Sequence, residues 1–437
     1  MKRRILALAL AGLMAFTAIG CSTKSTEKSK SGTTGDKSGG EVNILTEWAF
    51  SDDVIKKFES ETGISVKQNV VLNSQNMQQV RNSKLASGEN LDIMGINNDT
   101  SDPSDFVKKG YLIDLSNEEW LNNFNPQMLT DMQKQCTMTP DKTYLVSYEA
   151  IYMGVWYNKD MFSKYNIAVP KNWNEFLATC DTLKKNGVTP LVQGGKDSWP
   201  LDQEMKFARE ALLDENKTFK TDIYTGKVKW TDPDVVSKFE RIGKLLNPKN
   251  GYYVSGMLGT AYDQCYQLLL QKKAAMWLMG SWAVETMVKS NVAPDFTLGV
   301  FPLPNNDPGK QQYSYGQTYA RPYGIYSKSK NVDNAKAFLK FMSKAENMTM
   351  QANDTMVIPT VKDCNANKVP AFSDWQSIMN LSSGGNTDQD MSAGHDWGPE
   401  LQKIWWSELA KVASGEETTQ QYCAALQTAQ NKDSAAK

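Results

Sequence analysis

The sequence predicts an α/β fold, and two observations carry that prediction. Short apolar or alternating runs of strand length are interleaved with amphipathic helical runs across residues 41–192. The same interleaving resumes across residues 262–342. Such alternation predicts layered helices on a largely parallel sheet.

The elements follow in order. Residues 41–46 (EVNILT) alternate as a strand. Residues 52–62 place Val54, Ile55 and Phe58 on one helical face, and Gly63 stops the helix. A strand is expected over 64–71, a helix over 75–86 and a short apolar strand over 91–96. Residues 144–157 are β-rich, and helices are expected over 159–165 and 173–185, with Asn172 capping the second. Then come a strand at 189–192, helices at 235–246 and 262–272, an apolar run at 274–279 and strands at 296–301 and 323–326. Ala335, Phe338, Leu339 and Met342 share a face of a helix expected over 334–342. The C-terminal third reads as mostly helical, and no internal repeat is visible.

The N-terminus has a separate logic. Lys2, Arg3 and Arg4 precede an apolar run from Ile5 to Phe16 and small residues up to Cys21. This is the pattern of a secretory signal, and the run is shorter than the ~20 residues that cross a bilayer. Ala18-Ile19-Gly20-Cys21 resembles a bacterial lipobox, with Ala18 where Leu is usual. The resemblance implies cleavage after residue 20 and lipidation of Cys21, hence a membrane anchor. Residues 22–40 contain no aliphatic or aromatic core residue, so residues 21–40 read as a flexible tether.

Composition narrows the function classes. The chain carries 48 basic and 49 acidic side chains; losing Lys2, Arg3 and Arg4 would leave 45 against 49, a net charge of −4. That balance argues against a nucleic-acid partner. The chain has one His, His395, and no GxSxG elbow, which argues against serine-triad chemistry. P-loop and dinucleotide-binding glycine motifs are absent, so no cofactor is expected. The cysteines Cys136, Cys180, Cys265, Cys364 and Cys423 contain no CxxC pair, so no metal site is expected from them. The Asp/Asn-rich stretches at 97–105 and 386–390 do not follow EF-hand spacing and read as loops. The 12 Trp supply flat apolar faces, most of them for packing.

Several blocks, in this order, resemble the extracellular solute-binding proteins of ABC importers, in the group that includes maltose-binding proteins. They are ILTEWAFSDDVIKKFESETGISV, GVWYNKDMFSKYNIAVPKNWNEFLATCDTLKKNGVTPL, AAMWLMGSWAVETM, GVFPLP and YGIYSKSKNVDNAKAFLKFMS. The resemblance covers residues 41–415 and implies a two-lobed, periplasmic-binding-protein-like α/β fold. By analogy, lobe one takes 41–147 and 314–358, and lobe two takes 148–313 and 359–431. A ligand would sit in the cleft between the lobes, which close by bending at the crossing strands. The implied function is non-enzymatic: an extracytoplasmic, membrane-tethered monomer that hands a carbohydrate to membrane-embedded permease subunits.

A sugar presents C–H faces that stack on aromatic rings and hydroxyls that need planar donors and acceptors. The candidate ligand residues follow from that chemistry. Trp282 stands where an apolar strand hands over to a helix, the place where the family often puts a stacking ring. Glu47 and Trp48 end the first strand, and Asn97 and Asn98 follow the strand LDIMGI. Glu149 lies near the first presumed crossing, and Trp199 follows the loop GGKDS. Gln317, Tyr319 and Arg321 belong to the second presumed crossing, GQTYARP. In the Gly-rich segment SSGGNTDQDMSAGHDW the candidates are Asp388, Asp390, His395 and Trp397. Each has a plainer reading as packing, turn chemistry or a solvated charge. Other ligand classes stay open: a polyol, a peptide or a polyamine. So do a surface adhesin or sensor that holds sugar without transport and, more remotely, a glycoside hydrolase, which needs only two carboxylates.

Overall fold

The computed structural model describes residues 39–71, 74–96, 103–136, 141–290, 294–313, 316–317, 321–381 and 398–435. The signal-like segment, Cys21 and almost the whole tether therefore lie outside the described residues.

Eleven strands are present among the described residues: β1 (Glu41–Thr46), β2 (Ser65–Val70), β3 (Ile93–Gly95), β4 (Val146–Ser147), β5 (Glu149–Asn158), β6 (Leu191–Val192), β7 (Met276–Gly280), β8 (Leu298–Phe301), β9 (Gly316–Gln317), β10 (Pro322–Ile325) and β11 (Ile358–Pro359). They form two sheets, and helices cover both. The first has the order β2-β1-β3-β10-β4. The second runs β11-β5-β7-β6, with β8 and β9 also paired to β5. This is the two-lobed α/β architecture that the blocks imply.

The expectation of a largely parallel sheet needs correction. β1 pairs in parallel with β2 and β3, and β6 with β7. β10 is antiparallel to β3 and β4, and β5 is antiparallel to β7, β8, β9 and β11. The cause is the route of the chain. It leaves the first sheet between β4 and β5, builds most of the second sheet, and re-enters through β10. That re-entry comes from the side where β1 and β3 end, so β10 runs against them.

Local capping and packing explain why these elements form. Ser51 caps the helix Asp52–Thr62 by accepting the Val54 N–H at 3.2 Å. Gly63 ends that helix at φ 73, a left-handed conformation that suits glycine. Val54 and Phe58 are buried, and Phe58 meets Phe338 and Phe341 edge-on at 5.1 and 5.2 Å. Asn172 caps the helix Trp173–Lys185 by accepting the Glu175 N–H at 3.0 Å. Ala335, Phe338, Leu339 and Met342 form the buried face of the helix Val332–Met342. β5 is buried along almost its whole length, as befits a strand with partners on both edges.

Two buried clusters make up the core, the first reaching from the first sheet to Trp156 and Trp277 of the second. Phe50, Phe58, Phe338 and Tyr323 lie in the first cluster, and Phe176, Phe207, Trp230, Trp405 and Tyr422 in the second. Burying each such ring is worth ~1.5–3 kcal/mol. Among the described residues, Cys180, Cys265, Cys364 and Cys423 are free thiols.

Candidate functional site

The lobes are joined where three chain segments run side by side. Ser147 ends β4 and Glu149 begins β5. The Ser147 hydroxyl donates to the Glu149 carbonyl at 2.9 Å and accepts the Arg321 N–H at 3.4 Å. The Thr360 hydroxyl donates to the Ser147 carbonyl, and the Thr360 N–H donates to the Tyr148 carbonyl at 3.2 Å. Residues 147–149, 321 and 360 are thus mutually hydrogen-bonded, which fixes the crossing as one unit.

Arg321 is the centre of the polar cluster at this crossing. Its Nε lies 2.7 Å from Glu149 Oε2, and its Nη2 lies 3.8 Å from Glu285 Oε2. Its guanidinium lies 4.6 Å from the centroid of the Trp48 ring, a cation–π distance. Burial pushes the Glu149 carboxyl up to about 7; Arg321 pulls it back and Glu285 adds to the rise. Trp48 is held from behind. Its N–H donates to the Thr46 hydroxyl at 3.1 Å, and that hydroxyl donates to the Trp48 carbonyl at 2.8 Å. The Tyr323 hydroxyl lies 3.1 Å from the Thr46 hydroxyl and donates to the Trp48 carbonyl at 3.4 Å. Trp48, Phe50, Glu149, Arg321, Tyr323 and Gln351 line a small recess here. Glu47 pulls upward on the buried Arg81 guanidinium, which burial lowers to about 10.

The second lobe contributes an aromatic cluster. Trp282 lies two residues beyond β7 and opens the helix Ala283–Lys289. Ser281 ties this handover to the crossing strand, its N–H donating to the Tyr152 carbonyl at 2.9 Å. The Trp282 ring folds back over Gly280: a Cβ placed there would stand 1.9 Å from it. Trp199 starts the short helix Trp199–Asp202, and its ring lies 6.3 Å from Trp282 and 4.8 Å from Tyr262. Tyr262 lies 5.8 Å from the buried Trp277. Trp199, Tyr262 and Trp282 are all partly exposed. Glu285, three residues after Trp282, links this wall to Arg321.

The structure therefore brings Trp48, Glu149 and Arg321 together, and separately Trp199 and Trp282. Glu47 is adjacent to the first group. Gln317 lies in β9, its backbone paired with Ile151 of β5. Asn97, Asn98, Tyr319, Asp388, Asp390, His395 and Trp397 lie outside the described residues. Sequence reasoning missed Tyr262 and Glu285. Tyr262 is 63 positions from Trp199, and only a fold brings the two rings together. Glu285 was legible as the residue one helical turn after Trp282, facing the same way. Among the described residues, no group of three or more His, Cys, Asp or Glu is placed to hold a metal ion.

An arrangement of flat rings on one side and paired, planar charged groups on the other suits a ligand with both apolar faces and hydroxyls. Comparison with known proteins agrees with the architecture. The family model described as bacterial extracellular solute-binding protein matches residues 46–349. A multiple sugar-binding protein of Streptococcus mutans is 24% identical over 300 residues, 68% of each chain. The melibiose/raffinose/stachyose-binding protein of Bacillus subtilis is 23% identical over 253 residues, 56% of each chain. Among solved structures, the apo form of RafE from Streptococcus pneumoniae superposes with a TM-score of 0.71 at 19% identity, covering 92% of this chain and 99% of its own.

Proposed function

The chain belongs to the bacterial extracellular solute-binding proteins, and from that premise we propose that it captures a mono- or oligosaccharide and delivers it to an ABC-type importer. The observation that carries this reading is the pairing of two unlike walls. Trp199, Tyr262 and Trp282 offer partly exposed rings, and Trp48, Glu149 and Arg321 offer an ordered charged cluster. Rings stack on the C–H faces of a pyranose, and Arg and carboxylate groups bond its hydroxyls. The relatives named for multiple sugars and for melibiose, raffinose and stachyose support a carbohydrate over a peptide or polyamine.

In this reading Trp282 and Trp199 stack on sugar, Trp48 supplies a further face, and Glu47, Glu149 and Arg321 orient hydroxyls. Asn97, Asn98, Gln317, Tyr319, Asp390 and Trp397 remain proposed contacts from sequence position. The lobes comprise 41–147 with 314–358, and 148–313 with 359–431. The pairing of β9 with β5 supports moving the second of those bounds, with Gln317 kept in the second lobe and the crossing between Gln317 and Pro322. Closure about the crossing lets both walls touch one ligand, so affinity includes the cost of populating the closed form. A lipid on Cys21 would hold a monomer at the membrane beside its permease, and the tether would set its reach.

Isothermal titration calorimetry against raffinose, stachyose, melibiose and maltooligosaccharides, with amino acids, peptides and polyamines as controls, tests the ligand class. Saturable binding to a sugar series without turnover heat is expected. Binding only to a peptide or polyamine would overturn the sugar assignment and leave the fold intact. Loss of membrane association in Cys21→Ala tests the anchor.

A further inference from the structure

The turn that delivers Trp199 is strained. Ser198 has φ 64 and ψ −55, and the Trp199 N–H donates to the Asp197 carbonyl at 2.8 Å. That is a γ-turn of the rare hand, a conformation unfavourable for a residue with a side chain. Such a turn persists only where its surroundings over-determine it.

The surroundings here are two buried carboxylates on the seven residues that follow the turn. Asp202 accepts the Trp405 indole N–H at 2.5 Å and lies 3.5 Å from Arg209 Nη2. Glu204 is fully buried and accepts the Gln193 Nε2–H at 3.0 Å. Gln193 is a saturated node. Its amide also donates to the Leu278 carbonyl at 3.1 Å, and its carbonyl accepts the Gly194 N–H at 3.0 Å and the Trp277 indole N–H at 3.3 Å. Trp277 backs Tyr262, and Tyr262 backs Trp199. The Tyr262 N–H returns to the turn by donating to Asp197 Oδ2 at 2.7 Å. The circuit closes on Trp199 and runs through the fully buried Gln193, Glu204 and Trp277.

We propose that Asp202 and Glu204 are positioning residues for the aromatic wall: they clamp the strained turn, and Glu204 sets the spacing of the Trp199, Tyr262 and Trp282 rings through Gln193 and Trp277. The proposal rests on Trp199 contacting the ligand. Glu204 is not a ligand contact and acts only through those rings. The groups that face it are the Gln193 amide, the Tyr253 hydroxyl and, on the neighbouring helix, the Cys180 thiol.

A double-mutant cycle separates positioning from general stability. Glu204→Leu removes the acceptor and Glu204→Gln retains one, each made in the wild-type and Trp199→Ala backgrounds. With raffinose as probe, Glu204→Leu is expected to weaken binding about tenfold and Glu204→Gln less than about twofold, while in Trp199→Ala the leucine variant adds less than about twofold. Additive losses, or a glutamine variant as weak as the leucine one, would overturn the proposal. If Glu204→Leu does not fold, Gln193→Met carries the same cycle. A ligand-free readout keeps the two readings distinguishable. Near-ultraviolet circular dichroism of Glu204→Leu should differ from wild type, and that difference should shrink in Trp199→Ala, the part left coming from Trp277, Tyr262 and Trp282. If no sugar binds, the sugar reading fails while this spectral arm still decides the positioning role; a difference of unchanged size without Trp199 overturns it.

Discussion

Trp48 and Trp282 occupy the same local position, two residues beyond the end of a strand, one in each sheet. Their surroundings differ in kind. Trp48 is fixed by hydroxyls and faced by a guanidinium that is itself paired with a buried carboxylate. Trp282 lies on a bare glycine and against two other rings, with an amide node behind them. The first wall is held by charges, whose cost when unpaired is high. The second is held by shape, whose cost when altered is moderate. The comparison predicts that the walls fail differently.

The largest effect is expected at the charged wall. Arg321→Leu strands Glu149 in the crossing without its partner, and breaking such a buried pair costs ~3–5 kcal/mol of stability. Urea unfolding at about pH 9, above the value of about 7 to which burial raises Glu149, should show it. A shift below 1 kcal/mol would mean that solvent reaches Glu149 and that the pair is a surface feature.

The next effect contrasts pH behaviour. Burial raises the Glu204 carboxyl from 4.5 to about 7, with the Tyr253 hydroxyl and Gln193 amide pulling it back. Between those values the folded state binds more protons than the unfolded one, so stability falls as pH rises from about 5 to 8. The contribution is on the order of 3 kcal/mol for one group shifted this far. Glu149, also near 7, and Glu210, raised to about 8, act in the same direction. Unfolding midpoints measured across that range should decline, and Glu204→Gln should flatten part of the slope. An unchanged slope would place the titration elsewhere.

The aromatic wall should lose affinity before stability. Trp282→Ala is expected to cost ~1–3 kcal/mol of sugar binding, roughly 5- to 150-fold. Gly280→Ala should do nearly as much, since its methyl enters the space of the ring. The double variant should then be no worse than Trp282→Ala. Additive losses in calorimetry would mean that Gly280 matters for some other reason.

The smallest effect separates the helices that follow the two tryptophans. Ser51 caps the helix after Trp48, whereas the helix after Trp282 has no side-chain cap. Ser51→Ala should lower stability by ~1 kcal/mol and leave sugar affinity nearly unchanged. A large loss of affinity would show that the Trp48 wall depends on that helix more than on Arg321.

Much of this was legible before any coordinates. The strand at 41–46, the β-rich run at 144–157, the cap Asn172, the stop at Gly63 and the apolar face of Ala335, Phe338, Leu339 and Met342 depend on neighbours within a few residues. Local spacing therefore encodes them. Trp282 at a strand-to-helix handover was legible for the same reason. The direction of β10 was not, because it depends on where the chain re-enters after building the other lobe. Nor was Tyr262, or the node at Gln193 and Glu204, whose members are 11 to 84 positions apart.

By itself the sequence determined the class of fold, the order of its elements and the family, since periodicity, capping chemistry and ordered motifs are properties of short segments. The tertiary structure alone decided which charges pair across the crossing, which aromatic rings stand beside Trp282 and which buried carboxylates lie behind them. Those outcomes depend on distances between residues far apart in the chain, where burial sets the strength of every polar contact.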